Sequence, residues 1–178
     1  MIKNLNKSEF ETQIGRFYYL WQNKAGRIVI LYLGNSKKDF RDFIKKIKMV
    51  YRELNEIFFV DKKSAAIEAA ITGYLDGKIK KFDFKIEFLT GTEFQKSVWK
   101  NLASVPYGKT ISYKKLSFLS GHERAWRAAG SALNRNPVML IIPCHRVIKS
   151  DGRIGRFASG TKLKKLLINL EKQQLKTD

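Results

Sequence analysis

FYYLWQNKAGRIVILYL, residues 17–33, joins two apolar runs through a short polar turn. Both runs are rich in aromatic and β-branched side chains, which favour strands. The turn, residues 23–26, ends in a glycine, which tolerates the positive φ that a tight connection between strands requires. Together with the alternating apolar positions that begin at Phe10, this segment predicts an antiparallel hairpin.

The segments that follow predict helices packed on this sheet. Residues 36–55 place apolar side chains three and four positions apart with lysines between them, which indicates an amphipathic helix with a solvated basic face. Residues 57–60 predict a short strand. Residues 65–75 predict a second helix that ends at Asp76-Gly77, because glycine commonly follows the last helical residue. We therefore expect a small N-terminal α/β lobe, an antiparallel sheet with helices.

A polar turn at residues 89–91 separates this lobe from a part of the chain that predicts mainly helices. Thr92 and Gln95 form a capping-box pattern at the start of the first helix. Two more helices around a glycine turn form a helix-turn-helix pattern, and an amphipathic helix closes the chain. The predicted bounds of these three helices are 112–119, 124–133 and 162–175.

The predicted fold class is therefore α+β, with two domains. Residues 1–90 form the N-terminal α/β domain, and residues 91–178 form a mainly helical C-terminal domain with a winged-helix-like helix-turn-helix.

The chain is strongly basic, with 35 Lys+Arg against 16 Asp+Glu and a net charge of +19. Residues 1–90 carry 18 basic and 11 acidic groups, whereas residues 91–178 carry 17 and 5, so the net charges are +7 and +12. Such an excess is typical of a protein that binds nucleic acid or another anionic surface. A lysine-rich surface that serves only solubility is the alternative.

The cysteine and histidine counts restrict the compartment and the metal chemistry. Cys144 is the one cysteine, and His122 and His145 are the two histidines. No intramolecular disulfide is possible, so we expect a reducing compartment, the cytoplasm. Four Cys or His ligands for zinc are not available, so we expect no metal. The longest apolar run, residues 28–33, is far shorter than the roughly 20 residues that span a bilayer, so we expect no membrane partner.

Cys144 lies in the segment IPCHRVI, residues 142–148. A thiol attacks as the thiolate, and a neighbouring imidazole or guanidinium lowers the cost of that anion. Cys144 beside His145 and Arg146 is therefore a candidate nucleophile. The alternative is an inert cysteine that ends the apolar run of residues 138–142 inside the core.

This segment strongly resembles the active-site signature of the O6-alkylguanine-DNA alkyltransferases, which move an alkyl group from guanine in DNA onto a protein cysteine. Further blocks similar to that family occur in the same order over residues 91–171. They are GTEFQ (91–95), VW (98–99), VPYGKT (105–110), ISY (111–113), RAAG (127–130) and NRNP (134–137). The resemblance implies a suicide DNA repair protein that flips the damaged base, needs no cofactor, and acts as a monomer on double-stranded DNA containing O6-alkylguanine.

The resemblance also implies a role for each matching site residue. Cys144 receives the alkyl group, His145 takes the thiol proton through a bound water, and Glu171 orients the imidazole. Tyr113 hydrogen-bonds the flipped purine and helps guanine to leave as a neutral base, while Asn136 supports the cysteine loop. Without the resemblance, the favoured interpretation of Glu171 is a surface acid, and that of Tyr113 is a buried structural tyrosine.

The second helix of the helix-turn-helix enters the minor groove in the resembled family. Arg127 matches the arginine finger that fills the space left by the flipped nucleotide; an ordinary phosphate-binding or salt-bridging arginine is the alternative. Small side chains would let this helix approach DNA closely. The predicted DNA contacts are therefore Arg127, Ser112, Ala125, Ala128 and Gly130. Trp126 is bulkier than such a contact favours, so either it faces the core, which we expect, or the contact with the groove is altered.

The glycine-bearing loop at residues 150–160 is predicted to close over the base. Its predicted pocket residues are Arg156, Phe157, Ala158 and Ser159. Arg156 stands where the family has a small or polar residue, and Phe157-Ala158 replaces the usual aromatic-serine pair, so the sequence leaves the preferred size of the alkyl group open.

Three other functions are less consistent with the sequence. A lesion-binding module of the alkyltransferase-like type carries another residue in place of the cysteine, so Cys144 argues against it. A helix-turn-helix regulator lacks an evident effector lobe here. A cysteine hydrolase has its histidine distant in sequence, and the adjacent His145 cannot easily face the same sulfur directly.

Overall fold

The computed structural model describes residues 3–51 and 57–175. In the first half of the chain the elements are β1 Lys3–Thr12, β2 Gly15–Lys24, β3 Arg27–Gly34, α1 Lys37–Val50, β4 Ile57–Asp61, α2 Ala65–Leu75 and β5 Lys85–Ile86. In the second half they are α3 Glu93–Ala103, β6 Ile111–Ser112, α4 Tyr113–Leu119, α5 Trp126–Leu133, a 3-10 turn Cys144–Arg146, β7 Val147–Ile148 and α6 Thr161–Gln174.

The first five strands form one sheet in the order β4-β1-β2-β3-β5. Strands β1, β2 and β3 are antiparallel neighbours, while β4 and β5 are added in parallel at the two edges. The predicted hairpin is β2–β3, and it turns through Ala25 and Gly26, whose φ angles are 50° and 76°. Two positive φ angles suit the right-handed twist of the strands on either side. Strand β5 is too short to leave a pattern in the sequence.

Both faces of the central strands are buried. Phe17, Tyr19 and Trp21 pack on one face against α2 and the helices of the second half, whereas Tyr18 and Leu20 pack on the other face against α1. Successive residues of a strand point to opposite faces. The run of apolar residues in β2 therefore reflects a sheet covered on both sides.

The helix predictions hold closely within the described residues. Helix α2 has the predicted bounds, and α3 begins with the predicted capping box, in which Thr92 Oγ1 accepts from Gln95 N at 3.3 Å and Gln95 Oε1 accepts from Thr92 N at 3.1 Å. Helix α1 matches the predicted amphipathic helix, of which residues 52–55 lie outside the described residues. Every described helix is too short or too polar to cross a membrane.

The end of β3 connects the sheet to the segment that leads to Cys144. Leu33 N donates to Pro137 O at 2.8 Å, and Met139 N donates to Leu33 O at 2.8 Å. One hydrophobic core also runs from the sheet through α2, α3, α5 and α6. The active-site segment is therefore attached to the N-terminal sheet by backbone hydrogen bonds as well as by packing.

Trp126 does not face the core, contrary to our expectation. Its side chain is 46% exposed, and the Arg127 guanidinium lies 4.7 Å from its ring centroid. Helix α5 buries Ala129, Ala132 and Leu133 instead. Trp126 is the first residue of α5, so its ring projects beyond that buried row and is covered by Arg127.

The amphipathic pattern of the closing helix rests on the spacing of Leu163, Leu166, Leu167 and Leu170, but α6 buries a different face. Its buried side chains are Lys164, Leu167, Ile168 and Glu171, whereas Leu166 is 45% exposed. The first and last of these buried side chains, Lys164 and Glu171, are ionisable, so this face of α6 contributes polar groups to the protein interior.

Candidate active site

Asn136 ties the active-site cysteine to the turn that precedes it. Its Nδ2 donates to Ile142 O at 2.8 Å and to Cys144 Sγ at 3.3 Å, and its Oδ1 accepts from Val138 N at 3.0 Å. One side chain therefore sets both the backbone around Cys144 and the position of the sulfur.

Cys144 is only 7% exposed. Burial raises the pKa of its thiol, although the hydrogen bond from Asn136 and the positive charge of Lys164 act in the opposite direction. The thiol therefore needs a base to become a thiolate at neutral pH.

His145 is fully buried and is available as that base. Its Nε2 lies 2.8 Å from Glu171 Oε1, and burial lowers the pKa of the imidazole despite this hydrogen bond. A neutral imidazole that donates from Nε2 carries its lone pair on Nδ1. That nitrogen is buried and has no hydrogen-bond partner among the described residues, so it is free to take a proton.

Glu171 is a buried carboxylate that, within the described residues, accepts from five donor atoms, one of which is His145 Nε2. Arg146 donates from Nε at 3.0 Å and from Nη2 at 2.8 Å, Gly108 N donates to Oε2 at 2.9 Å, and the hydroxyl of Tyr74 donates to Oε1. Burial by itself raises the pKa of Glu171, but hydrogen bonds from His145 and Arg146 outweigh it and lower the pKa to about 2. The carboxylate is therefore charged at neutral pH.

Tyr113 and Lys164 meet near the cysteine. The Tyr113 hydroxyl donates to Arg156 O at 3.2 Å, and Lys164 Nζ lies 3.4 Å from that hydroxyl and 3.3 Å from Arg156 O. Burial lowers the pKa of Lys164 to about 8, against the effect of Cys144. A Cβ on Gly155 would lie 2.5 Å from the Tyr113 hydroxyl, so this position requires glycine.

Two clefts gather most of the predicted site residues. The cysteine cleft, about 340 Å³, lies between the C-terminal end of β3 and the loop at residues 150–160. Its lining includes Cys144, Asn136, Phe157, Ala158 and Ser159. Ser159 Oγ also donates to Asn35 Oδ1 at 2.7 Å, which ties this loop to the turn after β3.

The α5 cleft, about 690 Å³, lies beside the helix-turn-helix. Its lining includes Tyr113, Arg127, Gly130 and Arg156, together with Trp126. Three of the predicted DNA contacts line neither cleft; they are Ser112, Ala125 and Ala128. Ser112 caps α4 by accepting from Lys115 N at 3.1 Å, while Ala128 is exposed.

Three residues of this site were missed by sequence reasoning. Arg146 stands inside the signature, where its charge was noticed but not its pairing with Glu171. Lys164 precedes Leu167, Ile168 and Glu171 at helical spacing, which was the available signal. Tyr74 left none. The described residues hold no cluster of three or more His, Cys, Asp or Glu side chains suited to a metal ion.

The chain is similar to known proteins over most of its length. Residues 93–173 match the family model described as the 6-O-methylguanine DNA methyltransferase DNA-binding domain. A methylated-DNA–protein-cysteine methyltransferase of Methanosarcina barkeri is 43% identical over 163 residues, which cover 90% of this chain and 99% of that protein.

Solved structures are similar over nearly the whole chain. The O6-methylguanine methyltransferase of Mycobacterium tuberculosis has a TM-score of 0.78 at 26% identity, covering 96% of this chain and 94% of the other. The same organism's protein in complex with DNA has a TM-score of 0.73 at 26% identity, with coverages of 97% and 94%. The predicted α+β class is thereby confirmed, and the chain belongs to the methylated-DNA–protein-cysteine methyltransferase family.

Proposed function

We propose that the protein repairs O6-alkylguanine in double-stranded DNA by transferring the alkyl group irreversibly to Cys144. The damaged nucleotide is rotated out of the duplex first, because its O6 substituent is hidden inside the base stack. The observation that carries this proposal is the buried turn in which the one cysteine adjoins a neutral imidazole backed by a charged carboxylate.

The transfer begins with the thiol. His145 Nδ1 takes the thiol proton through one bridging water, because an adjacent residue cannot easily face the same sulfur directly, and Glu171 stabilises the imidazolium that forms. Asn136 and the nearby Lys164 stabilise the thiolate. The hydrogen bond from Asn136 and the positive charge of Lys164 both favour the charged sulfur over the neutral one.

The thiolate then displaces guanine in a single substitution. A bond forms between Cys144 Sγ and the alkyl carbon, the bond from that carbon to O6 breaks, and its electron pair stays on the purine. Guanine takes up one proton, which balances the proton that His145 removed from the thiol, and leaves as a neutral base, assisted by a hydrogen bond from Tyr113. The reaction balances without a cofactor, and the thioether is stable, so each molecule acts once.

DNA is proposed to lie against α5. Arg127 enters the base stack, and Ala125, Ala128 and Gly130 let the helix backbone come close to the minor groove. Ser112 adds a contact at the start of α4. The pocket residues Arg156, Phe157, Ala158 and Ser159 line the space for the flipped base and its alkyl group.

The finer organisation is proposed on the same grounds. One chain supplies every group that the reaction needs, so the protein acts as a monomer. The cytoplasm keeps Cys144 reduced. Residues 1–90 and 91–178 are proposed as two domains, the second carrying the reacting groups.

Intact-protein mass spectrometry tests the proposal. After incubation with a duplex containing O6-methylguanine, we expect a gain of one methylene group, localised to the peptide with Cys144, and no gain for Cys144→Ala or for an undamaged duplex. Preferential binding of the damaged duplex without a mass gain would leave a lesion-binding module. No preference at all would indicate a regulator.

A further inference from the structure

We propose that Tyr74, which α2 contributes from the N-terminal part of the chain, is a positioning residue for the transfer reaction. It holds Glu171 Oε1 against His145 Nε2, so that the imidazole keeps Nδ1 as its basic nitrogen. This role rests on the proposed function. It also lies outside residues 93–173, the segment that the family model matches.

Three atoms meet at this point. The Tyr74 hydroxyl donates to Glu171 Oε1 and its oxygen lies 3.2 Å from His145 Nε2, while Nε2 lies 2.8 Å from the same Oε1. A hydroxyl can donate one hydrogen bond, and here it donates that bond to the carboxylate. The tyrosine oxygen can then only accept from Nε2. Both neighbours of Nε2 are therefore acceptors, which favours the tautomer with the proton on Nε2.

Packing alone does not require a tyrosine at this position. The Tyr74 ring contacts Phe82 at a centroid distance of 5.2 Å and Tyr107 at 5.8 Å, and a phenylalanine would make the same contacts. The residue is fully buried, so its hydroxyl is desolvated. Burial and the Glu171 carboxylate both raise the pKa of Tyr74, so the hydroxyl stays protonated and remains a donor.

Helix α2 brings Tyr74 to the site from the sheet. At its first turn, Ser64 N donates to the Tyr19 hydroxyl at 2.9 Å, and that hydroxyl donates to Glu68 Oε1 at 2.7 Å. Tyr19 belongs to β2, so the helix is attached to the sheet at one end and to the site at the other. The N-terminal part of the chain thereby contributes to the orientation of the base.

Among the described residues, the titratable and charged groups that act on the imidazole come from three elements. Glu171 and Lys164 come from α6, Arg146 from the same 3-10 turn, and Tyr74 from α2. Tyr107 faces the Tyr74 ring. A substitution that removes only the Tyr74 hydroxyl leaves all the other groups in place.

Tyr74→Phe tests this role. The matched control is Tyr19→Phe, which also removes a buried hydroxyl that donates to a carboxylate, in this case Glu68 of α2. For Tyr74→Phe we expect the rate of methyl transfer to fall about tenfold, the scale on which outer hydrogen-bond partners of histidine act in metal sites. Glu171 loses one competing donor, so the pKa of His145 rises and the acid limb of the pH–rate profile moves to higher pH. Tyr19→Phe lowers the thermal midpoint and leaves the profile unchanged.

Imidazole ¹⁵N NMR gives a readout independent of transfer, because the chain has two histidines and the exposed His122 serves as an internal reference. We expect wild-type His145 to carry its proton on Nε2, and the titration midpoint of His145 to rise in Tyr74→Phe. A wild-type proton on Nδ1, or a variant with unchanged titration and pH–rate profile, would overturn the role of Tyr74. Wild-type protein that shows the expected tautomer but transfers no methyl group would overturn the proposed function alone.

Discussion

At the scale of single residues, the unusual feature is a fully buried cation next to the nucleophile. Lys164 is 0% exposed, and its Nζ contacts a hydroxyl and a backbone carbonyl, with no carboxylate in ion-pair distance among the described residues. Burying an ammonium group without an anion is costly. When Cys144 becomes a thiolate during the reaction, its negative charge offsets the unfavourable burial of the ammonium group.

Lys164→Met should therefore slow methyl transfer and raise the free energy of unfolding at pH 7. The folded pKa of Lys164, about 8, lies below the ordinary 10.5, so its burial destabilises the wild type below about pH 8 and this penalty disappears as pH rises towards 10.5. At pH 7 we expect the variant to be more stable by about 2 kcal/mol. We expect transfer to slow about tenfold for each unit by which the thiol pKa rises.

Urea unfolding at pH 7 and pH 10, together with transfer rates, checks both effects. The control is Lys165→Met, since the Lys165 side chain is exposed and the same change should alter neither quantity. A Lys164→Met protein that is less stable at pH 7 and transfers at the wild-type rate would contradict the assignment.

At the scale of elements, the capping box predicted the start of α3, where Thr92 accepts a hydrogen bond from the backbone of Gln95 as an N-cap residue does. Helix α5 begins at Trp126 instead of the predicted residue 124, and its N-cap, Ala125, makes no side-chain hydrogen bond.

The buried face of α6 was not predictable in the same way. Lys164 and Glu171 belong to it because each has buried partners on other elements, whereas the leucine spacing alone indicated a face that includes the exposed Leu166.

Gly155→Ala is expected to displace Tyr113. The added Cβ would lie 2.5 Å from the hydroxyl and 2.8 Å from a ring carbon, closer than real contacts allow. We expect slower methyl transfer and a loss of about 1–3 kcal/mol in the free energy of unfolding, the usual cost of overpacking. Thermal unfolding and transfer rates measure these effects.

Gly130→Ala is the stability control for that change. Its Cβ would meet the Tyr113 ring at 3.5 Å, an ordinary contact, and alanine is favoured over glycine inside a helix. We expect its unfolding free energy to be equal to or above that of the wild type. If Gly155→Ala were as stable and as active as the wild type, Tyr113 would not be confined by this loop.

At the scale of the whole molecule, charge and site lie on the same half of the chain. Residues 91–178 carry a net +12, and the α5 cleft lies in this half. Binding through phosphates releases counterions and weakens steeply with salt. We therefore expect the basic charge to give affinity for any duplex, while Arg127 is proposed to act only on the flipped nucleotide.

Arg127→Ala should thus slow methyl transfer from a duplex much more than from a single-stranded oligonucleotide, because only the duplex resists base flipping. The control is Arg153→Ala, which removes the same charge from an exposed side chain paired with Asp151, outside the lining of the α5 cleft. Single-turnover rates on both substrates at two salt concentrations separate the effects. Equal losses on duplex and single strand would contradict the finger role.

The division into domains at residues 90 and 91 stays a prediction. What the structure adds is the connection across that position, through the backbone bonds of Leu33 and the hydroxyl of Tyr74. Both join parts of the chain that are far apart in sequence.

The sequence by itself determined the β2–β3 hairpin, the capped helices and the chemistry of the segment around Cys144, because alternation, caps and adjacent reactive groups are local properties. The family resemblance already indicated Glu171, which lies 26 residues after His145. Only the tertiary structure decided that Tyr74, which lies 71 residues before His145, and the pairing of Arg146 with Glu171 complete the site. Such contacts depend on how α2 and α6 pack around the 3-10 turn, and no local pattern records that packing.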